Sequence, residues 1–438
     1  MVLGDAGVKQ FVSWICRISI LTLLAFNLSA CGGGGSSTNS IVTPDPVEPV
    51  DPTDVDISNF LEFLTAAEKV WADHGSGGLD AVIAELENTD NDTYYDIEQI
   101  EQLVLRYSEY QNVRQTPLSG TYTHPFTLTN IYKAFAAGLT GGGQLIAIVE
   151  APGDNGFDLT HPDLAEKLLA GQSVTCINRD LQGVPHDCPT FSDDPDMGVH
   201  GTAVAGIAAG SFLGGEIIGT APAADLVLYL GINTWDIADA LSKEAVALSN
   251  SWGFILEEPG DGNCSNKRTW QCVYLPVSTP PDSFDLIDGP STFMLGDLFP
   301  HYEDFQDSGV VIFSKPNLDS GVRTDVYSGP DDLPYFYADL QDAWISVING
   351  KFTTDSNGNI TQAIRDSSPC NLSAAWCLVG NGHVRYAQPG GGYGSETGTS
   401  FVAPQVAGAV ALLAEAFPNL SPADWTARLL ASANNSWF

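Results

Sequence analysis

Three short segments carry side chains able to do nucleophilic chemistry. Ser400 lies in GTSFVAPQVAGAVALLAEAFPNLSP, from Gly398 to Pro422, ahead of a small and apolar run that reads as a buried helix. A hydroxyl at a helix N-terminus faces the positive end of the helix dipole, where developing negative charge is favoured, so Ser400 is a candidate nucleophile. His200 lies in GVHGTAVAGIAAG, from Gly198 to Gly210, at the start of another small-residue helix. An imidazole there can act as general base near neutral pH. Asp154 opens DNGFDLTHPDL, just after the apolar run QLIAIVE, and could hold that imidazole in one tautomer. Each also has an ordinary reading: Ser is a common helix cap, a lone His is often structural, and the chain holds 54 acids. Convergence of the three is what would make them a site.

The elements that must bring them together are legible from about Thr121 onward. QLIAIVE (144–150), DLVLYL (225–230), AVALSNSW (245–252), GVVIFS (309–314) and WISVI (344–348) are near-continuous apolar runs of strand length. Strands buried on both faces read that way, as in a parallel sheet. Helical stretches between them predict a doubly wound α/β domain, mostly parallel, with helices on both faces. Active groups in such folds gather at the carboxyl ends of the strands.

Composition bounds the rest. The chain has 438 residues with 54 Asp or Glu against 17 Lys or Arg, a formal charge of −37. So acidic a surface repels phosphate backbones, which argues against nucleic-acid partners. With 44% hydrophobic residues and 10% aromatics the chain can build a large core, so disorder throughout is excluded.

Taken together, the three boxes resemble those of the subtilisin-like serine proteases, in which Asp, His of an H-G-T box and Ser of a G-T-S box follow in that order. Asp154, His200 and Ser400 match, and the resemblance spans about residue 125 to the C-terminus. It implies a subtilisin-like fold and a serine endopeptidase cleaving proteins or peptides by acyl transfer, without a cofactor in the chemistry. It carries an oxyanion donor onto Asn317, in GVVIFSKPNLDSG, where Ser314, Lys315 and Pro316 replace the usual small residues. It also carries the substrate-pairing strand onto Ser251, Trp252 and Gly253 in SNSWG, which would line the substrate by β-augmentation. The segment EAPG (150–153) interrupts the pattern between the strand and Asp154. Aligning from the right selects Asp154 as partner of His200; aligning from the left selects Glu150. The right-hand register, through His161-Pro162-Asp163-Leu164, favours Asp154. Relatives often bind structural calcium; SDDPDMG (192–198) is compatible with that, and no site is assigned.

Finer features resemble secreted proteases of Gram-negative bacteria, many of which end in a C-terminal β-barrel. This chain stops at Phe438, which leaves either a barrel-free protease or a fragment. The first 30 residues read as an export signal: Lys9 and Arg17 precede the apolar run from Ile18 to Ala30, too short for a membrane span. Leu28-Ser29-Ala30-Cys31 resembles a lipobox, which predicts acylation of Cys31 and a cell-envelope lipoprotein of the outer membrane or surface. Residues 31–57 are a Gly/Ser then acidic Pro-rich linker, expected to be a disordered stalk. Residues 58–120 carry three helical patterns, with Phe60, Leu64, Ala67 and Trp71 on the first face, and read as a pro-region or spacer. The peptidase-like domain is then 121–438. Six cysteines remain after Cys16 and Cys31: Cys176, Cys188, Cys264, Cys272, Cys370 and Cys377. An even number in an exported chain implies disulfides; of fifteen connectivities, close spacing favours 176–188, 264–272 and 370–377. Oligomeric state is not readable.

Overall fold

The computed structural model describes residues 125–433, apart from 130, 137, 152–155, 180–182, 189–197, 212–216, 254, 258–271, 275–294, 318–329 and 355–359. The signal, Cys31, the linker, the 58–120 segment, Asp154 and Cys264 therefore lie outside the described residues.

Two short helices, α1 (Pro125–Thr129) and α2 (Ile131–Ala136), lead into strand β1 (Leu145–Glu150). Then follow α3 (Pro162–Leu169), β2 (Val174–Arg179), β3 (Pro185–Asp187), α4 (Val199–Ala209), β4 (Asp225–Leu230), α5 (Thr234–Ser242) and β5 (Ala247–Asn250). The short pair β6 (Ile255–Glu257) and β7 (Cys272–Tyr274) stands as its own small sheet. Next come α6 (Leu295–Phe305), β8 (Val310–Ser314), α7 (Leu333–Phe336), β9 (Trp344–Thr354), β10 (Ile360–Arg365), β11 (Cys377–Gly380), β12 (His383–Gln388) and β13 (Gly392–Thr397). Helices α8 (Ala403–Ala416) and α9 (Pro422–Ser432) finish the described chain.

The main sheet runs β10-β9-β8-β5-β1-β4-β2-β3, with β11 also on β9. The pairs β1–β4, β1–β5, β2–β4, β5–β8, β8–β9 and β9–β11 are parallel; only β9–β10 and β2–β3 are antiparallel. The fold is thus the α/β architecture that the apolar runs imply, and all five runs became strands of this sheet. β9 continues past its apolar run through Thr354, because its second half pairs with β10 as an antiparallel extension rather than lying under helices.

Alternation along each strand sorts the core into two layers. On β1, Ile146 and Ile148 face the layer that includes α4, α8 and Trp425 of α9, while Ala147 and Val149 face α5 and α6. β4 and β8 divide in the same way, Leu226, Leu228, Val310 and Ile312 against Val227, Tyr229, Val311 and Phe313. Period-two geometry then puts the next residue of β1, Glu150, on the α4/α8 side. β1 also separates β4 from β5, where the winding reverses, so its carboxyl end opens at a topological switch point.

Helices α4 and α8 are apolar nearly all round and form the inner wall of this layer. Their close approach depends on Gly408 of α8: a Cβ there would stand 2.5 Å from Thr220 Cβ and 3.0 Å from the Ala208 carbonyl oxygen. Disulfides Cys176–Cys188 and Cys370–Cys377, with Cα–Cα distances of 5.6 and 5.9 Å, close two of the three expected local loops.

Lys167 of α3 is fully buried, and its ammonium donates to the Pro222 carbonyl at 2.8 Å. Burial pushes its pKa down from 10.5 to about 7, against the pull of Asp225. Between those values the unfolded chain holds the proton and the folded chain does not, so stability rises with pH across that window. The unfolding free energy of the wild type relative to Lys167→Met should therefore increase from pH 7 to about pH 10, read by urea denaturation. Parallel curves for the two proteins would exclude a lysine neutralised by burial.

Candidate active site

The site forms at the carboxyl end of β1. Glu150 closes that strand, with its side chain 1% exposed and its carbonyl accepting from Gly231 N at 3.0 Å. His200, second residue of α4, places Nδ1 2.7 Å from Glu150 Oε2, and its side chain remains 28% exposed. An ionised carboxylate can only accept, so Nδ1 carries the proton and Nε2 is left as the basic nitrogen.

Glu150, the alternative reached by aligning from the strand side, thus places a carboxylate on the imidazole; the right-hand register favours Asp154. Asp154 lies outside the described residues. The physical reason for Glu150 is local: β1 runs unbroken to residue 150, and alternation already aims that side chain at α4. A longer acid at the strand end reaches the ring without help from the following loop.

The residues after His200 explain the H-G-T spacing. A Cβ on Gly201 would strike the Gly156 carbonyl oxygen, so only glycine lets the 156–157 loop pass over the helix start. Thr202 is buried, and its Oγ1 accepts from Asp158 N at 2.8 Å. Asp158 in turn accepts from Thr160 N at 2.9 Å and Gly390 N at 2.8 Å. His161 is structural: it caps α3 by accepting from Asp163 N at 3.2 Å and bonds the Gly392 carbonyl oxygen through Nε2 at 3.0 Å.

Ser400 sits in a 3₁₀ turn, Thr399–Phe401, one turn ahead of α8 rather than inside it. Its Oγ lies 3.3 Å from the Ser251 carbonyl oxygen, and Ser251 Oγ donates back to the Ser400 carbonyl at 2.8 Å. The ring of the next residue, Phe401, lies 6.3 Å from the His200 ring and stacks on Tyr386 at 5.5 Å. Ser400 and His200 are thus on one face of the sheet, at adjoining helix starts.

Asn317 follows β8 and stands against the same turn. Its Oδ1 accepts from Thr399 N at 2.8 Å and Thr399 Oγ1 at 3.0 Å, so its amide nitrogen is the end left to donate elsewhere. Of the three residues expected along the substrate, Ser251 and Trp252 are buried and Gly253 is exposed. The Trp252 ring packs edge-on against Phe313, 5.1 Å away in the second core layer, so its side chain is core and its backbone alone runs past the site.

Sequence reasoning missed the two polar groups behind this turn. Lys315 is buried between Asp331 and Asp332, each 2.7 Å away. The only signal was the unusual SKPN itself, because the acids lie up to 17 residues further on. Asp366 gathers Lys351 Nζ at 2.9 Å and His383 Nε2 at 3.2 Å, and Thr397 Oγ1 also lies 3.1 Å from His383 Nε2. Burial first, then Lys351, lowers the His383 pKa from its ordinary value, against the pull of Asp366. Among the described residues no three His, Cys, Asp or Glu side chains are grouped to hold a metal, and 192–197 lies outside them. No step is therefore assigned to calcium.

Most of the chain is similar to known proteins. The extracellular serine protease of Serratia marcescens is 24% identical over 333 residues, covering 66% of this chain and 29% of that protein. The extracellular serine protease of Aeromonas sobria is 24% identical over 347 residues, covering 69% of this chain and 50% of its own length. This chain thus spans half or less of both relatives. Among solved structures, fervidolysin from Fervidobacterium pennivorans matches 67% of this chain and 38% of its own at 20% identity and a TM-score of 0.43. The protease domain of PatA matches 68% and 90% at 20% identity and a TM-score of 0.44. At these scores the fold assignment rests on the sheet itself. The model of the subtilase family matches residues 141–437, the stretch that holds β1, both helix starts and the Ser400 turn, and the chain belongs to that family.

Proposed function

We propose that this chain is a serine endopeptidase in which Ser400 is the nucleophile, His200 the general base and Glu150 the acid that orients it. Ser400 Oγ attacks the scissile carbonyl as His200 Nε2 takes its proton. That proton then goes to the leaving amine, and water repeats the sequence to free the acyl group. Glu150 holds Nδ1 protonated and stabilises the imidazolium that forms. Asn317 Nδ2 and the Ser400 backbone N–H donate to the oxyanion. The observation that carries the reading is the 2.7 Å bond between Glu150 and His200 beside the Ser400 turn. Substrates are proteins or peptides laid against the 251–253 backbone, and this chemistry calls on no cofactor.

The chain is further read as exported and lipid-anchored at Cys31, with 31–57 as stalk and 58–120 as pro-region or spacer. Support comes from the lipobox-like Leu28-Ser29-Ala30-Cys31 and from relatives named as extracellular. Cys31→Ser should move the protein from the membrane fraction to the soluble one; unchanged partitioning would refute the anchor.

A fluorophosphonate probe should label the folded protein at Ser400, and Ser400→Ala should lose roughly 10⁶-fold in turnover. Absence of labelling would leave a catalytically inert surface protein on the same fold. Alanine variants of the two acids separate their roles. Glu150→Ala should cost about 10⁴-fold in kcat while Asp154→Ala retains most activity. Glu150→Asp, which withdraws the carboxylate by one methylene, should cost roughly 10²-fold. A large loss in Asp154→Ala with little in Glu150→Ala would reverse the assignment.

A further inference from the structure

The turn that presents Asn317 is anchored by a buried cation. Strand β8 ends at Ser314, and Lys315 N still bonds the Val347 carbonyl of β9 at 2.9 Å. The Lys315 side chain is 1% exposed, with Nζ 2.7 Å from Asp331 Oδ2 and 2.7 Å from Asp332 Oδ1. Both acids are buried in the 3₁₀ turn Pro330–Asp332, and Ser346 of β9 donates to the Asp331 carbonyl at 2.7 Å. Ser373, inside the loop closed by Cys370–Cys377, is the further polar neighbour of Asp332. On the other side of Lys315, the Pro316 carbonyl accepts from Ser368 N at 3.0 Å and Asn317 bridges to Ser367.

We propose that Lys315 is a positioning residue for the oxyanion donor: clamped by Asp331 and Asp332, it sets the Ser314–Asn317 turn and so the aim of the Asn317 amide. This rests on the reading of Asn317 as that donor. The turn leaves β8 with its backbone held at residues 315 and 316 and with one side chain driven into the protein. A pair of carboxylates around a single ammonium defines where that side chain ends. An ion group removed from water is a poor source of stability but a sharp geometric constraint, since any displacement leaves charge unpaired. The two acids hold the ammonium charged despite burial, raising its pKa overall, while burial and the Asp331 charge raise the Asp332 carboxyl to about 7. The group therefore carries at most one net negative charge. An amide that must meet charge developing in the transition state loses its effect when misplaced by a fraction of its bond length.

The test removes the ion group while keeping its volume. In Lys315→Met/Asp331→Asn/Asp332→Asn no charge is left stranded. kcat, referred to active sites titrated with a fluorophosphonate so that unfolded molecules drop out, should fall about 10- to 100-fold with KM unchanged. Asp332→Asn alone, which keeps the Lys315–Asp331 pair, should show a smaller loss in kcat only. Asn317→Ala should lose about 10²-fold or more in kcat, and adding the triple substitution to it should then cost little. Wild-type kcat in the triple or in Asp332→Asn would overturn the proposal. So would a loss of the same size in the Asn317→Ala background, which would leave the oxyanion assignment standing. Wild-type kcat in Asn317→Ala would overturn that assignment and the proposal together.

Discussion

A carboxylate without water must have a partner, and here it has an imidazole. Glu150 is sealed at the end of the central strand, and the 2.7 Å bond to His200 supplies what burial removed. That one contact ties β1 to the first turn of α4. It decides which nitrogen of His200 is basic, and it makes the imidazolium state affordable inside a fold. Removing the histidine would strand the acid; removing the acid would free the ring to turn.

The contact is useful only if α4 and α8 begin side by side, and small residues make that so. Gly201 lets the 156–157 loop cross the start of α4, and Gly408 lets α8 lie against Thr220 and Ala208. Larger side chains would force the helices apart and carry His200 away from the Ser400 turn. The sacrifice is in side-chain burial, since Gly and Ala bring little apolar area. The sheet compensates with Trp344, Tyr302 and Phe313 packed together in the opposite layer. Close approach is thus confined to the helix pair that carries the chemistry, and aromatic bulk fills the layers around it.

Much of this was legible in the residues. Continuous apolar runs identified the parallel strands, because burial on both faces leaves no polar alternation to hide them. The H-G-T and G-T-S boxes identified His200 and Ser400, because each pairs a reactive side chain with a glycine or threonine that the backbone needs. The acid was harder. Asp154 and Glu150 both fit the spacing within a few residues, and their difference is one of reach and strand parity rather than residue type. Parity was available: counting in twos along Ile146, Ile148 and Glu150 aims the glutamate at the α4 side once that side is known. It could not be used earlier, since the sequence does not say which layer holds α4. Lys315 was visible as an oddity with no partner, because Asp331 and Asp332 approach it through a turn and not through periodicity.

The scarcity of cations gives this last feature its meaning. With 17 Lys or Arg against 54 acids, a basic residue on the surface would lower the chain's self-repulsion. Two of the described lysines, Lys167 and Lys315, are instead wholly inside, and Arg179 is largely buried against Asp236 and Asp239. Exposed carboxylates repel through water and are screened by salt within about 10 Å at 0.1 M, so they need few counter-charges from the protein. Buried ones are not screened and must be met by a specific group. Arg179 and Lys315 are charges of this kind, placed where the dielectric is low and geometry matters, and in Lys315 that place is two residues from the amide proposed to receive the oxyanion.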